Sequence, residues 1–380
     1  MGNGFKERFL NIFKQDEAYR MSKADAEKTL ANVFAQAGRE PGSHTLEDVR
    51  PKDRPAGKRA PGAWKIAAAV LLLIAAAVVF LLFLNGCGVQ AKESPAEAAQ
   101  AAIKTGVGTR NASPECLTPR ATGNVIYGNE LAEIDASNAA EGYITVSYLG
   151  DCPKVKLQIT GSNGVTYTFN CKGNGEQEVF PLSSGDGTYQ VAVYENIEGS
   201  QYASAYTSDI EVTLNDPTRP YLYPNQYVRF DRDSMIVALG QELAMPCDDD
   251  LEVVSNVYNW LIANVTYDEE EAKSVQSGYI PDIDAVMERR TGICLDYAAL
   301  MAAMLRSQRI PTRLEVGYAG IAYHAWISTY IKDIGWVNGI VQFDGQDWQM
   351  MDPTFAANSS ESDLKTFIGS GDSYELKYSY

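Results

Sequence analysis

From Ile66 to Leu84 the chain carries nineteen consecutive apolar residues without a charge. A helix of that length spans about 30 Å, the thickness of a bilayer core. Lipid offers the backbone no hydrogen-bond partner, so a lone span of this kind has to be helical. Lys52, Arg54, Lys58, Arg59 and Lys65 precede the run, Trp64 marks one interface, and Asn85-Gly86-Cys87-Gly88 follows it. Basic residues stay inside. Residues 1–62 are therefore expected as a cytoplasmic arm and linker, 63–86 as one transmembrane helix, and everything after as facing outward. The run is too long and starts too late for the apolar segment of a cleaved signal peptide.

Charge divides at the same place. The chain holds 32 Lys and Arg against 49 Asp and Glu, a net charge of -17. Residues 1–65 hold 13 basic against 9 acidic side chains, leaving 19 against 40 for the rest. An acidic surface excludes nucleic acid as a partner, because phosphates demand a basic one. Within the arm, Phe5, Phe9, Ile12 and Phe13 lie at helical spacing, and Ala26 to Gln36 is a second helix candidate. They read as a marginal helical hairpin, with a membrane-surface or partner contact as the alternative. Glu40 to Gly62 is a Pro-, Gly- and charge-rich linker. Leu84-Asn85-Gly86-Cys87 is similar to a bacterial lipobox, but its Asn is atypical, and Cys87 is read as a small residue just past the anchor.

Beyond the anchor, residues 87–121 read as a linker whose Ala-Glu-Ala-Ala-Gln-Ala-Ala stretch favours a helix. Across residues 122–216 the apolar period becomes two. Strands are expected at Tyr143–Tyr148, Val155–Ile159, Thr166–Phe169, Tyr189–Tyr194 and Ile210–Leu214, separated by Gly-Ser-Asn-Gly, Gly-Asn-Gly and Gly-Asp-Gly turns. Short strands at that spacing make a β-sandwich, here expected to be immunoglobulin-like and to act as a spacer or binding module. Residues 217–380 mix periods. Helices are expected at Asp249–Ala263 and Cys294–Gln308, the second with a Leu300, Met301, Met304, Leu305 stripe. Strands are expected at Thr312–Tyr318, His324–Ile331 and Trp348–Met351. This is an α+β domain. Cys152 and Cys171 flank two adjacent strand candidates, which predicts a disulfide in an exported region. No Cys-x-x-Cys pair or histidine cluster is present, so neither a metal nor any other cofactor is expected. The acidic tracts Asp248-Asp249-Asp250 and Glu269-Glu270-Glu271 lack the spacing of a calcium loop and read as solvated surface.

Only two histidines occur, His44 before the span and His324 after it. Any imidazole base in the outward region must therefore be His324. Cys294 precedes it, at the start of an expected helix where unpaired N–H groups favour a thiolate. Asp352 follows, between a strand and Pro353, and is suited to hold an imidazole in one tautomer. Taken singly, a lone Cys, a strand His and an Asp before Pro all have structural readings. Their common order makes a nucleophile, a base and an orienting acid.

The motifs Thr291-Gly292-Ile293-Cys294-Leu295-Asp296-Tyr297-Ala298, Tyr323-His324-Ala325-Trp326 and Met351-Asp352-Pro353-Thr354 resemble those of the transglutaminase-like superfamily. Asn264-Val265-Thr266-Tyr267-Asp268 is similar to the segment that precedes its cysteine motif. The resemblance covers about Val253 to Phe355. It implies a papain-like core with Cys294 as nucleophile, His324 as base and Asp352 as orienter. The Cys294 N–H, and less strongly Tyr267, are the oxyanion candidates. The expected architecture is then an α+β transglutaminase core in 217–380, preceded by an all-β sandwich in 122–216 and one transmembrane helix. The expected function is acyl transfer through a thioester, from a peptide, protein or cell-wall amide to water or an amine. The alternatives are a catalytically idle fold used for binding, or a structural surface protein whose β-domain does the binding.

The basic cluster before Ile66 predicts one crossing with the C-terminal region outside. Protease added to intact cells should remove residues after about Val89 and spare those before Trp64. Digestion of the arm with protection of the C-terminal region would reverse the orientation.

Overall fold

A computed structural model of the chain describes residues 95–319, 322–338, 341–343, 348–350 and 374–380. The expected span Ile66–Leu84 and the arm before it lie outside these residues. Among the described residues no helix is long and apolar enough to cross a membrane. The described part opens with helix α1, Pro95–Ala102, on the alanine-rich stretch.

Eight strands follow: β1 Ile126–Gly128, β2 Ala132–Asp135, β3 Tyr143–Tyr148, β4 Val155–Thr160, β5 Thr166–Cys171, β6 Glu178–Pro181, β7 Gly187–Glu198 and β8 Gln201–Val212. They form two antiparallel four-stranded sheets, ordered β1-β2-β3-β6 and β5-β4-β7-β8. The period-two pattern becomes a one-sided core. Val155, Leu157 and Ile159 of β4 are buried, while Lys156 and Gln158 between them are half-exposed. Ile134, Ile144, Val146 and Phe180 of one sheet join Leu157, Phe169, Val191 and Val193 of the other in one apolar cluster. Phe169 meets Phe180 edge to face at 5.0 Å. The short strands β1, β2 and β6 carry too little alternation to be legible beforehand.

The predicted Cys152–Cys171 disulfide is absent; both side chains are free thiols. Cys171 ends β5 opposite Val155, so the ladder places Val155 rather than Cys152 across from it. Cys152 lies before β4, and its thiol rests against the Lys154 and Asn196 carbonyls at 3.4 and 3.6 Å.

The second region contains α2 Met235–Ala244, α3 Asp250–Asn264, α4 Glu269–Ser274, α5 Ile283–Arg289 and α6 Cys294–Ser307. Strands β9 Thr266–Tyr267 and β10 Thr291–Gly292 form a short parallel pair. Then come β11 Thr312–Ala319, β12 Ala322–Ile331, β13 Gly335–Asn338, β14 Val341–Phe343, β15 Trp348–Met350 and β16 Tyr374–Ser379. The main sheet is antiparallel, ordered β13-β12-β11-β16, and β14 and β15 make a separate hairpin. Helices precede a meander of strands, as the α+β reading expected.

Helix α6 differs from its expected stripe. Every residue from Asp296 to Ser307 is buried. A helix apolar on all sides belongs in the middle of a domain, and α6 packs against α2, α3, α5, β11 and β12. Four alanines, Ala298, Ala299, Ala302 and Ala303, keep its girth small enough for neighbours on every face.

The two regions share this core. Tyr167 and Phe169 of β5 lie 5.6 and 5.8 Å from the Tyr380 ring, which lies 4.4 Å from Tyr227. Gly142 takes φ 88° after a 3-10 turn, and a Cβ there would come within 2.3 Å of Pro220. Only glycine fits both conditions. Residues 103–115 run along the second region as a strap. Lys104 bridges Asp248 and Glu252 at 2.8 and 2.6 Å, and Arg110 pairs with Asp250 at 2.6 Å. The Gly108, Arg110 and Glu115 amides donate to the carbonyls of Met245, Cys247 and Ser307.

Arg306 ties these parts together. Its side chain is fully buried, and its three guanidinium nitrogens donate to the carbonyls of Thr312, Tyr223 and Tyr380 at 2.9, 2.7 and 2.6 Å. Burial pushes its pKa down to about 9, which still leaves it charged at neutral pH. Arg306→Met would remove a donor from all three carbonyls, of which Tyr380 O keeps the Leu314 amide. It should lower stability by about 3–5 kcal/mol in denaturant unfolding; a loss under about 1 kcal/mol would mean that other donors replace the guanidinium.

Candidate active site

Cys294 is the first residue of α6 and is half-exposed. The chain reaches it through an extended run, Ile293 having φ -96° and ψ 179°. That run is held by the parallel β9–β10 pair, in which Thr291 faces Thr266 and Gly292 faces Tyr267. The Thr266 amide donates to Arg290 O, and the Asp268 amide to Gly292 O, both at 2.9 Å. Arg290 turns the chain out of α5 with φ 55°, its guanidinium 4.6 Å from the Trp260 ring centre. Tyr267 thus lies beside the entry to the cysteine. Its ring is 6.3 Å from that of Tyr297.

Asp296 completes the helix start. It is fully buried, and its Oδ2 accepts the Ile293 N–H at 2.8 Å while its Oδ1 accepts the Tyr279 hydroxyl at 2.8 Å. The carboxylate therefore satisfies the Ile293 N–H at the helix start, the half of a capping box that the third helical residue supplies. A Cβ on Gly292 would come within 2.8 Å of the Asp296 Cβ, so glycine is required for this approach. Arg289 stands 3.8 Å from Asp296, pairs with Glu271 at 3.2 Å and donates to the Thr291 carbonyl at 2.6 Å. Burial pushes the Asp296 carboxyl up, partly opposed by the Ile293 and Tyr279 hydrogen bonds. The role of Asp296 was missed in the sequence because an isoleucine at the cap position hides the usual capping signal. Tyr279 and Arg289 are brought in by the fold.

His324 lies on β12 in register with Gly317 of β11 and is buried. Trp326 shares its face, with ring centres 6.4 Å apart and planes 23° apart. The helix that begins at Cys294 packs directly on the strand that carries His324. Asp352, the expected orienter, lies outside the described residues.

The acidic tracts are engaged within the chain. Asp248 and Asp250 meet the strap, and Asp249 caps α3 by accepting the Glu252 amide at 2.9 Å. Glu269 and Glu270 lie 3.8 and 2.6 Å from Lys273, and Glu271 meets Arg289. Among the described residues no group of three or more His, Cys, Asp or Glu side chains is placed to hold a metal ion. Burial pushes the thiols of Cys116, Cys171 and Cys247 up, Cys247 to about 11.

Residues 237–339 match the transglutaminase-like superfamily. No curated protein matches the chain. Three solved structures are similar at low identity. A candidate cysteine protease from Cytophaga hutchinsonii is 17% identical, with 63% of this chain and 83% of that one covered and a TM-score of 0.32. A candidate protease from Parabacteroides distasonis is 16% identical, with 47% and 36% covered and a TM-score of 0.24. The transglutaminase of red sea bream is 14% identical, with 57% and 48% covered and a TM-score of 0.26. The chain spans less than half the length of the last two.

A buried carboxyl with a raised pKa contributes stability that is complete below its unfolded value, about 3.9. That contribution is lost as pH rises through the folded value. Asp296→Asn keeps an acceptor for the Ile293 amide but cannot ionise. The stability difference between variant and wild type should therefore move toward the variant as pH rises from about 4 to about 8, measured by denaturant unfolding. A difference independent of pH would contradict the raised acid.

Proposed function

Because residues 237–339 form a domain of the transglutaminase-like superfamily, we propose that the chain is a membrane-anchored, outward-facing thiol enzyme. It transfers an acyl group from a peptide, protein or cell-envelope amide. The observation that carries this reading is the placement of Cys294 as the first residue of a buried helix. Free N–H groups at such a terminus favour a thiolate and stabilise negative charge that develops on a bound carbonyl.

In this reading the Cys294 sulfur attacks the amide carbon, and His324 takes the thiol proton. The tetrahedral oxyanion is held by the Cys294 N–H, with Tyr267 as a second donor. Collapse breaks the C–N bond, His324 returns the proton to the departing amine, and an acyl thioester remains on Cys294. His324 then takes a proton from water, or from an amine, as it attacks the thioester carbon; the C–S bond breaks, the proton passes to the Cys294 sulfur, and a carboxylic acid or a new amide leaves; water is the proposed acceptor. Asp352 holds the imidazole tautomer and stabilises its charged form. Cysteine–histidine acyl transfer of this kind calls for no cofactor. The two-sheet region serves as an immunoglobulin-like binding module packed against the catalytic domain.

Cys294 should alkylate faster at neutral pH than an exposed model thiol, read peptide by peptide by mass spectrometry. His324→Ala should slow that alkylation by about ten-fold or more and abolish turnover. Asp352→Asn should lower turnover and leave the unfolding midpoint unchanged. Incubation with an intact cell-envelope fraction should leave a hydroxylamine-sensitive acyl adduct on Cys294. Turnover that survives Cys294→Ala would overturn the mechanism.

A further inference from the structure

We propose that Glu315 is a positioning residue for His324, acting through the Trp326 ring. This rests on the reading of His324 as the base.

Glu315 lies on β11 directly opposite Trp326 of β12, with Arg313 opposite Ser328 and Gly317 opposite His324. Paired residues of an antiparallel ladder share a face, and alternate residues along a strand do too. His324, Trp326, Ser328 and Glu315 therefore stand on one side of the sheet. Glu315 is only 4% exposed. A glutamate is rarely buried to that degree unless it is partnered. Its partners are the Ser328 hydroxyl, which donates at 2.5 Å, and the Trp326 side chain. The indole has one polar hydrogen, so this bond fixes which way the ring edge points. Once that edge is fixed, the ring plane is fixed, and the imidazole lies along it two residues away.

Packing already confines the buried Trp326 ring. A carboxylate bonded to its N–H selects one of the orientations that packing allows. Burial pushes the Glu315 carboxyl up, with the bonds from Ser328 and Trp326 opposing the shift. An apolar residue opposite Trp326 would avoid this desolvation cost but could not hold the indole N–H. A Cβ on Gly317 would meet the Glu375 carbonyl of β16 at 2.0 Å, so β11 presents no side chain across from His324, and Trp326 is its neighbour on this face along β12. The arrangement places a second constraint on the histidine, separate from the tautomer-holding acid expected at Asp352.

The test is the alkylation rate of Cys294 by iodoacetamide in the full chain at pH about 7. It needs no knowledge of the substrate. Glu315→Ala should slow the reaction about ten-fold, and Glu315→Gln, whose amide oxygen accepts from the same donors, should recover most of that loss. Trp326→Phe keeps a ring but removes the N–H, and should slow the reaction to a similar extent. Adding Glu315→Ala to Trp326→Phe should slow it no further, since both changes break one link. If Glu315→Ala does not fold, Trp326→Phe and Glu315→Gln decide: Trp326→Phe at the wild-type rate, or Glu315→Gln slowed as much as His324→Ala, overturns the proposal. Wild-type reactivity in Glu315→Ala while His324→Ala is slow would overturn the proposal and leave the base assignment standing. Wild-type reactivity in His324→Ala would remove the base assignment itself.

Discussion

One buried guanidinium organises the described part of this chain. Arg306 sits near the end of the central helix and reaches three carbonyls from three separate stretches of backbone. Thr312 begins the strand that follows the helix, Tyr223 lies between the two-sheet region and the helices, and Tyr380 follows β16. An apolar side chain would fill the same space, but it could not satisfy three carbonyls where water is excluded. Desolvating the charge is costly, and the donated bonds offset that cost only when all are made together. The segments therefore assemble around the arginine in one arrangement or leave polar groups stranded.

The same constraint explains how the cysteine is presented. Helix α6 is buried along its length, so its first turn is fixed in space by the core rather than by a surface cap. Its start is satisfied from inside, by Asp296, and that carboxylate is held in turn by Tyr279 and flanked by Arg289. The β9–β10 pair delivers the chain in an extended form, with Tyr267 alongside. A reactive position on such an element is held more firmly than one on a loop. Glycine at 292 is part of that construction, because any side chain would displace the aspartate.

The strap and the acidic tracts illustrate a second point. Strings of like charge read as solvated surface, and these part-exposed carboxylates also cap helices or meet Lys104, Arg110, Lys273 and Arg289. Most of these pairs are at least partly exposed, and each contributes little alone. The pairs of Lys104 and Arg110 together fasten residues 103–115 along the start of α3 without demanding apolar surface from a short segment.

Much was legible from order and period. Alternation placed β4 within a residue of its ends because one face is buried, and runs of β-branched and aromatic residues bounded by turn signals did the same for β3 and β11. The helical start at Cys294 and the superfamily that residues 237–339 match were readable from local motifs, since a chemistry that needs one thiol and one imidazole leaves few candidates in a chain with two histidines. The placement of Asp352 and the apolar span fall outside the described residues. What the tertiary structure alone decided are the partnerships between distant residues. Cys152 and Cys171 flank neighbouring strands in sequence, but the register puts Val155 opposite Cys171. The central helix looked striped, yet it is enclosed on every side. Asp296, Glu315 and Arg306 looked like ordinary charges, and only burial, which depends on everything packed around them, turned each into a joint that holds its neighbours in place.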